Sequence, residues 1–562
     1  MLRRRWKAIL SACVGTAILA GLLTFALGQN EDAQVILPPV TFSHDSGFYD
    51  DAFYLEIKGN GNQVYYTLDS SDPDERSIRY TGPILIQDAS PNENVYSAVT
   101  DMSAYYDKAL LKRNNKGMVH KYRLPDEPID KATVIRAVSV DDAGNRSPAV
   151  TAVYFVGFGA KKGYRGMNIM SVTTDPANLF DPQKGIYVLG EKFAETLKDG
   201  IVENQDSHVF MWPANYHQRG RDWERQAEVH CFDPEGELVF SGPCGIRIQG
   251  RSSRANMPKN LNINARREYG CVGFNTGHLF DREYTLNRLS LYFGSNDLLL
   301  RDYLVNALVD DMDVVNRAFC PCVLFLDGEY WGLFWLASRF KADYMSQRYG
   351  VAEDNIVAIK RDHIEIGREE DLKLFEDMVS FIADNDMRKP ENFESACAMI
   401  DLQSCIDYFA VEIYIANTDW PINNYALWRS RRPASNAFSD GRWRWMLFDL
   451  ELGMRSKNAK LDTLKRAINN DAMFASLMQN EAFSAMLTDR LLNLATDTFA
   501  PERMDDFIDA YEADMADAIE KKYQRFYGEY SMDDLFYKGC DEIKEFFRLR
   551  QAYILKKYGG ER

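Results

Sequence analysis

"TDWPINNYALW" (residues 418–428) is followed, after a polar stretch containing Pro and Gly, by "GRWRWMLFDLELG" (441–453). Two acids, Asp419 and Asp449, stand at the edges of aromatic and aliphatic runs, with the paired amides Asn423 and Asn424 between them. A plain core would place Leu or Val there, because a buried carboxylate or amide without a partner costs free energy. These residue types point instead to a divalent cation and a phosphate. Mg²⁺ takes hard oxygen donors and keeps part of its water. Phosphoryl transfer needs one carboxylate to orient the attacking hydroxyl and take its proton, further oxygens for the metal, and cations or backbone amides for the transferred group.

Asp419 and Asn424 stand five apart, the interval between the base and the Mg²⁺-binding Asn in the catalytic loop of protein kinases. Alone, such a pair recurs by chance in an Asp-rich chain. The continuation adds weight: "WRWMLFDLELG" reads as an apolar strand that delivers Asp449 at its end, with Gly453 four residues later, where kinases place a metal-binding Asp. Asp419 and Asp449 are therefore the candidate catalytic acids, with Asn424 and Asp449 as metal ligands. The plainer alternative makes Asp419 and Asn424 turn caps and Asp449 a buried cap with a partner. Glu451 reads equally as a further ligand or as a salt-bridged surface residue.

Upstream, "GIRIQGRSSRANMPKNLNINAR" (245–266) joins two expected strands through a loop with Gly250, Arg251, Ser252, Ser253, Arg254 and Lys259. A Gly, two hydroxyls and three cations suit a polyphosphate cradle, although the pattern is neither a Walker motif nor GxGxxG. Lys259, at the start of the next strand, is placed to meet the α- and β-phosphates. A solvated hairpin loop is the bland alternative. "VAIK" (357–360) matches the kinase strand-three lysine motif, but no Gly-rich loop precedes it and the expected helix lies before it. Lys360 therefore reads as a coincidence or a lobe-connecting position.

A length of 562 residues suggests about three domains, and 46% apolar with 13% aromatic residues is the composition of a folded chain. The net charge of −17 argues against nucleic acid as a partner, without excluding a local basic pocket. "MLRRRWK" and the uncharged run at 8–28 form a signal peptide, with Gln29 as a possible mature start, or a membrane anchor. Either way the remainder is expected outside the cytoplasm, secreted or anchored. Eight of the nine cysteines lie beyond this segment, an even number that permits pairing. "CPC" at 320–322 lacks a companion pair for zinc, and no HExxH occurs.

Three regions follow: the segment 1–30, an all-β region at 33–157, and a mixed domain at 165–562, β-rich to about 360 and helical afterwards. In the first region beyond the leader, "AFYLEI", "QVYYTL", "GPILI" and "TVIRAVSV" alternate with turn chemistry such as "GNGN" and "DDAGNRS", as in a small sandwich. In the mixed domain "GIYVLG", "LVFSGPCGIRIQG" and "NLNINARREYG" read as strands. "DLLLRDYLVNALVDDM" (297–312) reads as a helix with Leu300, Leu304 and Leu308 on one face. "CPCVLFLDGEYWGLFWLA" is a hairpin turning at "DGEY". The last hundred residues read as surface helices.

"VYYTLDSSDPDERSIRYTGPILI" and "TVIRAVSVDDAGNRSPAV" resemble the small C-terminal β-sandwich of chitobiases and β-hexosaminidases, with an insertion near 96–123. Such a module implies an accessory that docks the remainder at a surface, with a cell-wall glycan as a possible contact, or a simple stalk. "GIRIQGRSSR", "PKNLNINARREYG", "LLLRDYLVNAL", "LFLDGEYWGLFWL", "NTDWPINNYALWR" and "WRWMLFDLELG", in this order, resemble the spore-coat CotH kinase family of secreted atypical protein kinases. The resemblance implies an α+β, kinase-like bilobal domain. It also implies ATP with Mg²⁺ or Mn²⁺, and transfer to Ser or Thr of surface or secreted proteins. It places catalysis and metal at Asp419, Asn424 and Asp449, and nucleotide phosphates at Arg251, Arg254 and Lys259. One position departs: where the family carries Glu in a stretch like "LTEK", this chain has Ser338 in "WLASRF". Ser338 supports an alternative, a weak or inactive kinase-like protein used for surface binding. Paired acids across a sugar cleft would be needed for a third reading, a glycan hydrolase.

Overall fold

The computed structural model describes residues 36–104, 122–198, 211–293, 298–528 and 530–560. The N-terminal segment read as leader or anchor lies outside the described residues. Among those described, no helix is long and apolar enough to cross a membrane.

The N-terminal region is β-rich, as its turn punctuation predicts. A five-stranded sheet runs in the order Gly47–Tyr49, Val150–Val156, Thr133–Val140, Gln63–Thr67 and Ile78–Arg79. Two short pairs cover it: Thr41–Phe42 with Ile57–Lys58, and Phe53–Leu55 with Ile84–Ile86. Alternate side chains of a strand face opposite ways. Ile135, Tyr154 and Val156 accordingly fill a small private core with Leu55 and Ile86. Val134, Val153 and Phe155 join the main core of the protein instead. Phe155 meets Phe325 at 5.0 Å and Phe232 at 5.8 Å between ring centres. The region is therefore half-embedded in its neighbour, which a stalk would not be.

That neighbour is a closed seven-stranded barrel. Its strands are β1 (Asn168–Thr173), β2 (Arg225–Phe232), β3 (Leu238–Ile248), β4 (Leu261–Asn264), β5 (Arg288–Tyr292), β6 (Phe319–Leu326) and β7 (Glu329–Ser338). They run in the order β1-β2-β3-β4-β5-β7-β6, and β6 closes on β1 in parallel, Asn168 opposite Cys322. "GIYVLG" forms no strand: its amides reach back to the preceding turn, Ile186 N–H to the Asn178 carbonyl at 3.0 Å and Tyr187 N–H to Leu179 at 2.9 Å. The expected helix shortens to α1 (Arg301–Leu308), because Leu299 takes a left-handed φ of 56° that no continuing helix accepts.

The β6–β7 hairpin turns at Asp327 and Gly328, with φ of 48° and 85°, the doubly positive pattern of tight hairpins. Unlike most such turns it is buried, clasped by the N-terminal region. The Glu329 carboxylate accepts backbone N–H groups from Val95 at 2.7 Å, Tyr96 at 3.3 Å and Ser97 at 2.6 Å. The Gly328 carbonyl accepts from Ala132 at 2.8 Å, and a Cβ at Gly328 would stand 2.7 Å from the Ala132 oxygen.

The remainder combines helices with a four-stranded antiparallel sheet of β8 (Ile356–Lys360), β9 (His363–Ile366), β10 (Ala426–Ser430) and β11 (Arg444–Trp445) in the order β9-β8-β10-β11. The principal helices are α2 (Leu372–Asp384), α3 (Leu402–Tyr414), α4 (Pro501–Phe526) and α5 (Lys538–Tyr558). α3 is central, buried continuously from Ser404 to Tyr414. α5 is no mere surface helix. Its Arg550 is fully buried and donates to the carbonyls of Tyr414 at 2.8 Å, Ala459 at 2.9 Å and Leu461 at 2.9 Å. All eight described cysteines are unpaired.

Glu329→Ala strands the buried Ser97 N–H and two partly buried ones, so it should lower unfolding stability by about 2 kcal/mol, read from denaturant midpoints, with Glu329→Gln less costly.

Candidate active site

α3 ends at Tyr414, and the chain then takes left-handed φ at Ala416 (54°) and again at Asn424 (59°). Between them the loop folds on its own side chains. The Glu412 carboxylate accepts from Asn417 Nδ2 at 3.0 Å, and Asn417 Oδ1 accepts the Asp419 N–H at 3.2 Å. Asp419 in turn receives Asn423 Nδ2 at 2.8 Å on one oxygen and Asn424 Nδ2 at 3.0 Å on the other. Asn424 Nδ2 also lies 3.5 Å from the Asp449 carbonyl. One amide thus ties the two sequence-predicted acids together.

Asp449 follows β11 and sits at φ 62°. The next peptide is fixed from the barrel side, for Leu450 N–H donates to Asp302 of α1 at 3.0 Å. Asp449 keeps an exposed carboxylate face, yet protein surrounds it closely enough to raise its pKa, so it lines a recess. Burial is the main cause of that rise; Arg317 and Lys360 oppose it and Asp419 adds to it. Asp302 and Glu412 are also shifted upward, first by burial, and each feels Asp449 as well. Glu451 is buried rather than at the surface, and is pushed up to about 8 by burial and by Asp302, with Arg301 opposing. Four carboxylates therefore crowd one seam beside Asp419 with too little water to keep all four charged.

Cations line a cavity of about 130 Å³ next to them, walled by Ser290 of β5, the residues after β7, β8 and Phe448, the neighbour of Asp449. Arg317, Arg339, Lys341 and Lys360 line it, against one acid, Glu365, which pairs with Lys341 at 2.7 Å. Phe448 and Phe340 supply apolar walls, with Lys360 Nζ 4.4 Å from the Phe448 ring centre and Arg317 5.3 Å from that of Phe340. Burial lowers the Lys360 pKa, aided by Arg317 and opposed by Glu365 and Asp449. A larger cavity of about 600 Å³ lies between α4 and the barrel; neither cavity is lined by Asp419 or Asp449 themselves, but only the smaller one is walled by a chain neighbour of either, Phe448.

A family model described as CotH kinase protein matches residues 246–554, more than half of the chain. The chain belongs to this family. A second model, described as Fn3 associated, matches residues 54–154, the β-rich N-terminal region. No curated protein matches the chain.

In this CotH-family chain the expected phosphate cradle is occupied otherwise. Arg254 donates to the carbonyls of Gly250 at 2.7 Å, Tyr216 at 3.1 Å and Gln218 at 2.8 Å. Lys259 is fully buried, with Nζ 2.7 Å from the Arg254 carbonyl and 3.9 Å from the Tyr216 ring centre. Neither lines the cavity. Arg251 is exposed, Ser253 packs against Gly250, and the Ser252 side chain lies outside the described residues. Lys360, read from sequence as a coincidence, does line it; so do Arg317 and Arg339, which sequence reasoning passed over. Ser338 is fully buried in the barrel wall, where its Oγ accepts the Ala318 N–H at 3.0 Å, and it does not line the cavity.

The shift at Glu451 has a stability consequence. Between about pH 4.5 and 8 the native protein holds a proton there that the unfolded chain has released. The unfolded state binds fewer protons, so stability should fall as pH rises through that window. Melting temperatures across pH 5–8 should show the fall in the parent, and a flatter profile in Glu451→Gln.

Proposed function

We propose that this protein is an exported, ATP- and divalent-metal-dependent protein kinase that phosphorylates Ser or Thr of surface or secreted proteins. The observation that carries the reading is the cationic cavity walled by Phe448, whose Arg317 and Lys360 act on the adjacent Asp449, with Asp419 tied to Asp449 through Asn424. The barrel and the helical part act as two lobes, and the cavity between them, too small for a whole nucleotide, takes the phosphate end.

The donor set fits Mg²⁺ or Mn²⁺. Asp449 offers an open carboxylate, and Asp419 and the Asn424 amide are all hard oxygen ligands. The one convergence of three acid or His ligand atoms among the described residues, Asp233, Glu235 and His278, lies elsewhere. A cation at Asp449 would thus rely on few carboxylates and be completed by phosphate and water, as Mg²⁺ usually is. When bound, it neutralises charge on the phosphate oxygens.

The chain's own groups do the remainder. Asp419, its oxygens aligned by Asn423 and Asn424, orients the acceptor hydroxyl and takes its proton. Lys360, Arg317 and Arg339 hold phosphate oxygens, and Phe340 and Phe448 exclude water around them. Ser338 closes the barrel wall and leaves the cavity's cations in place, which supports the active reading over the inert one. Export rests on the basic and apolar leader of the sequence.

The purified protein should transfer labelled γ-phosphate from ATP with Mn²⁺ to generic protein acceptors. Asp419→Asn should reduce transfer by about 10²-fold or more, and Asp449→Ala should abolish it. ATP with Mn²⁺ should raise the melting temperature of the parent, and Lys360→Ala should diminish that rise. Absence of transfer from parent and Asp449→Ala alike, with no nucleotide-dependent rise, would overturn the assignment.

A further inference from the structure

The segment that follows Asp449 carries a charge pattern the phosphotransfer reading does not use. Arg455, Lys457, Lys460, Lys465 and Arg466 fall within twelve residues, in a protein whose net charge is −17. The single acid among them, Asp462, is already engaged: it caps the helix Thr463–Asn470 by accepting from Lys465 N–H at 3.1 Å and pairs with Lys557 at 2.6 Å.

The fold fixes this strap alongside Asp419. Arg466 donates to the carbonyls of Thr418 at 2.8 Å and Trp420 at 3.0 Å, the two residues flanking the acid. Thr418 Oγ1 donates to the Leu452 carbonyl at 3.3 Å, and Met454 N–H to Ile415 at 2.7 Å. From below, Arg550 holds the carbonyls of Ala459 and Leu461, and Thr463 Oγ1 donates to Ile413 at 2.6 Å. With its backbone held inward, the strap leaves Lys457, Lys460 and Lys465 exposed, and none of them pairs with a carboxylate among the described residues. Ile422, three residues past Asp419, is 56% exposed on the same loop.

Resting on the kinase reading, we propose that this strap is the acceptor-recognition surface and that the acceptor segment is anionic, with Asp, Glu or phosphorylated residues near its Ser or Thr and an apolar neighbour against Ile422. The surrounding acidic protein repels such a segment, and the exposed, unpaired lysines of a strap tied by Arg466 to the residues flanking Asp419 supply the local field that would draw it in.

The test uses fluorescent Ser-containing peptides in three forms, flanked by Asp/Glu, by phosphoserine or by Lys/Arg, with binding read by anisotropy and transfer by label. The parent should bind one or both anionic forms more tightly than the basic one, and more weakly as salt rises. K457E/K460E/K465E should weaken anionic binding by about tenfold and improve basic binding, with K457Q/K460Q/K465Q between them. The nucleotide-dependent melting shift should stay at the parent's value in both variants. Comparison of the two anionic forms identifies whether carboxylate or phosphate is the recognised group. A parent that prefers the basic peptide, or variants that bind all forms as the parent does, would overturn the inference. Anionic binding without label transfer to any peptide would count against the kinase reading alone.

Discussion

Everything at the seam between the barrel and the helical part answers to one constraint: carboxylates from α1, α3, the loop after α3 and the strand end before Gly453 share a poorly hydrated space. Burial is the first cause of the upward shifts at Asp302, Glu412, Asp449 and Glu451, ahead of their mutual repulsion. Loss of water therefore dominates, and Arg301 and Arg317 offset it only in part. The protein deals with the excess in two ways. Glu412 and Glu451, fully enclosed, are held toward their protonated forms, whereas Asp449 keeps an open face. A cation bound there, as proposed, would meet a group already short of countercharge, so the burial cost would be returned as affinity.

Such crowding persists only if the elements carrying the acids cannot relax apart. Asp302 sits in α1, whose entry is pinned by Trp335 Nε1 donating to the Leu299 carbonyl at 2.7 Å. Trp335 belongs to β7, and β7 begins at Glu329, the residue clasped by three amides of the N-terminal region. A chain of fixed contacts thus runs from the accessory sheet through the hairpin and α1 to the Leu450 peptide, one residue beyond Asp449. On the opposite side Arg550 ties α5 to the end of α3, just before the Asp419 loop. The N-terminal region is a buttress of this frame as much as an appendage.

What the sequence disclosed follows the same physics. The hairpin was legible because "DG" satisfies a turn with two positive φ values and the flanking runs are strongly apolar. That Asp449 would be an unusual carboxylate was legible because an acid ending an aromatic strand is anomalous in a plain core, and the structure brings it to Asp419 through Asn424. The cations were not, because the direction of a long side chain is set by tertiary contacts. In the Gly- and Ser-containing loop at 250–259 the interior carbonyls of Tyr216, Gln218 and Arg254, which come from separate turns, claim Arg254 and Lys259. Lys360 ends β8 opposite Ala426, and only that pairing reveals that it looks toward Phe448 and Asp449. "GIYVLG" misled for a related reason: an apolar run is buried in either case, and its backbone partners decide whether it is a strand.

The departure at Ser338 illustrates how far a single position constrains function. β7 is buried along its whole length, and Ser338 closes it against Ala318, inside the wall. The next residues, Arg339 and Lys341, are the ones that reach the cavity. A Glu at 338 would have to be paired within that wall or displaced toward the cavity, where it would neutralise part of the field of Arg317, Arg339, Lys341 and Lys360. With Ser there instead, four cations face one acid, and the cavity carries a net positive charge beside an acidic cluster. That separation of charge is what the proposed binding of a polyphosphate with its metal would require. The exchange of Glu for Ser therefore leaves the cavity's positive charge undiluted and the acids at the seam intact.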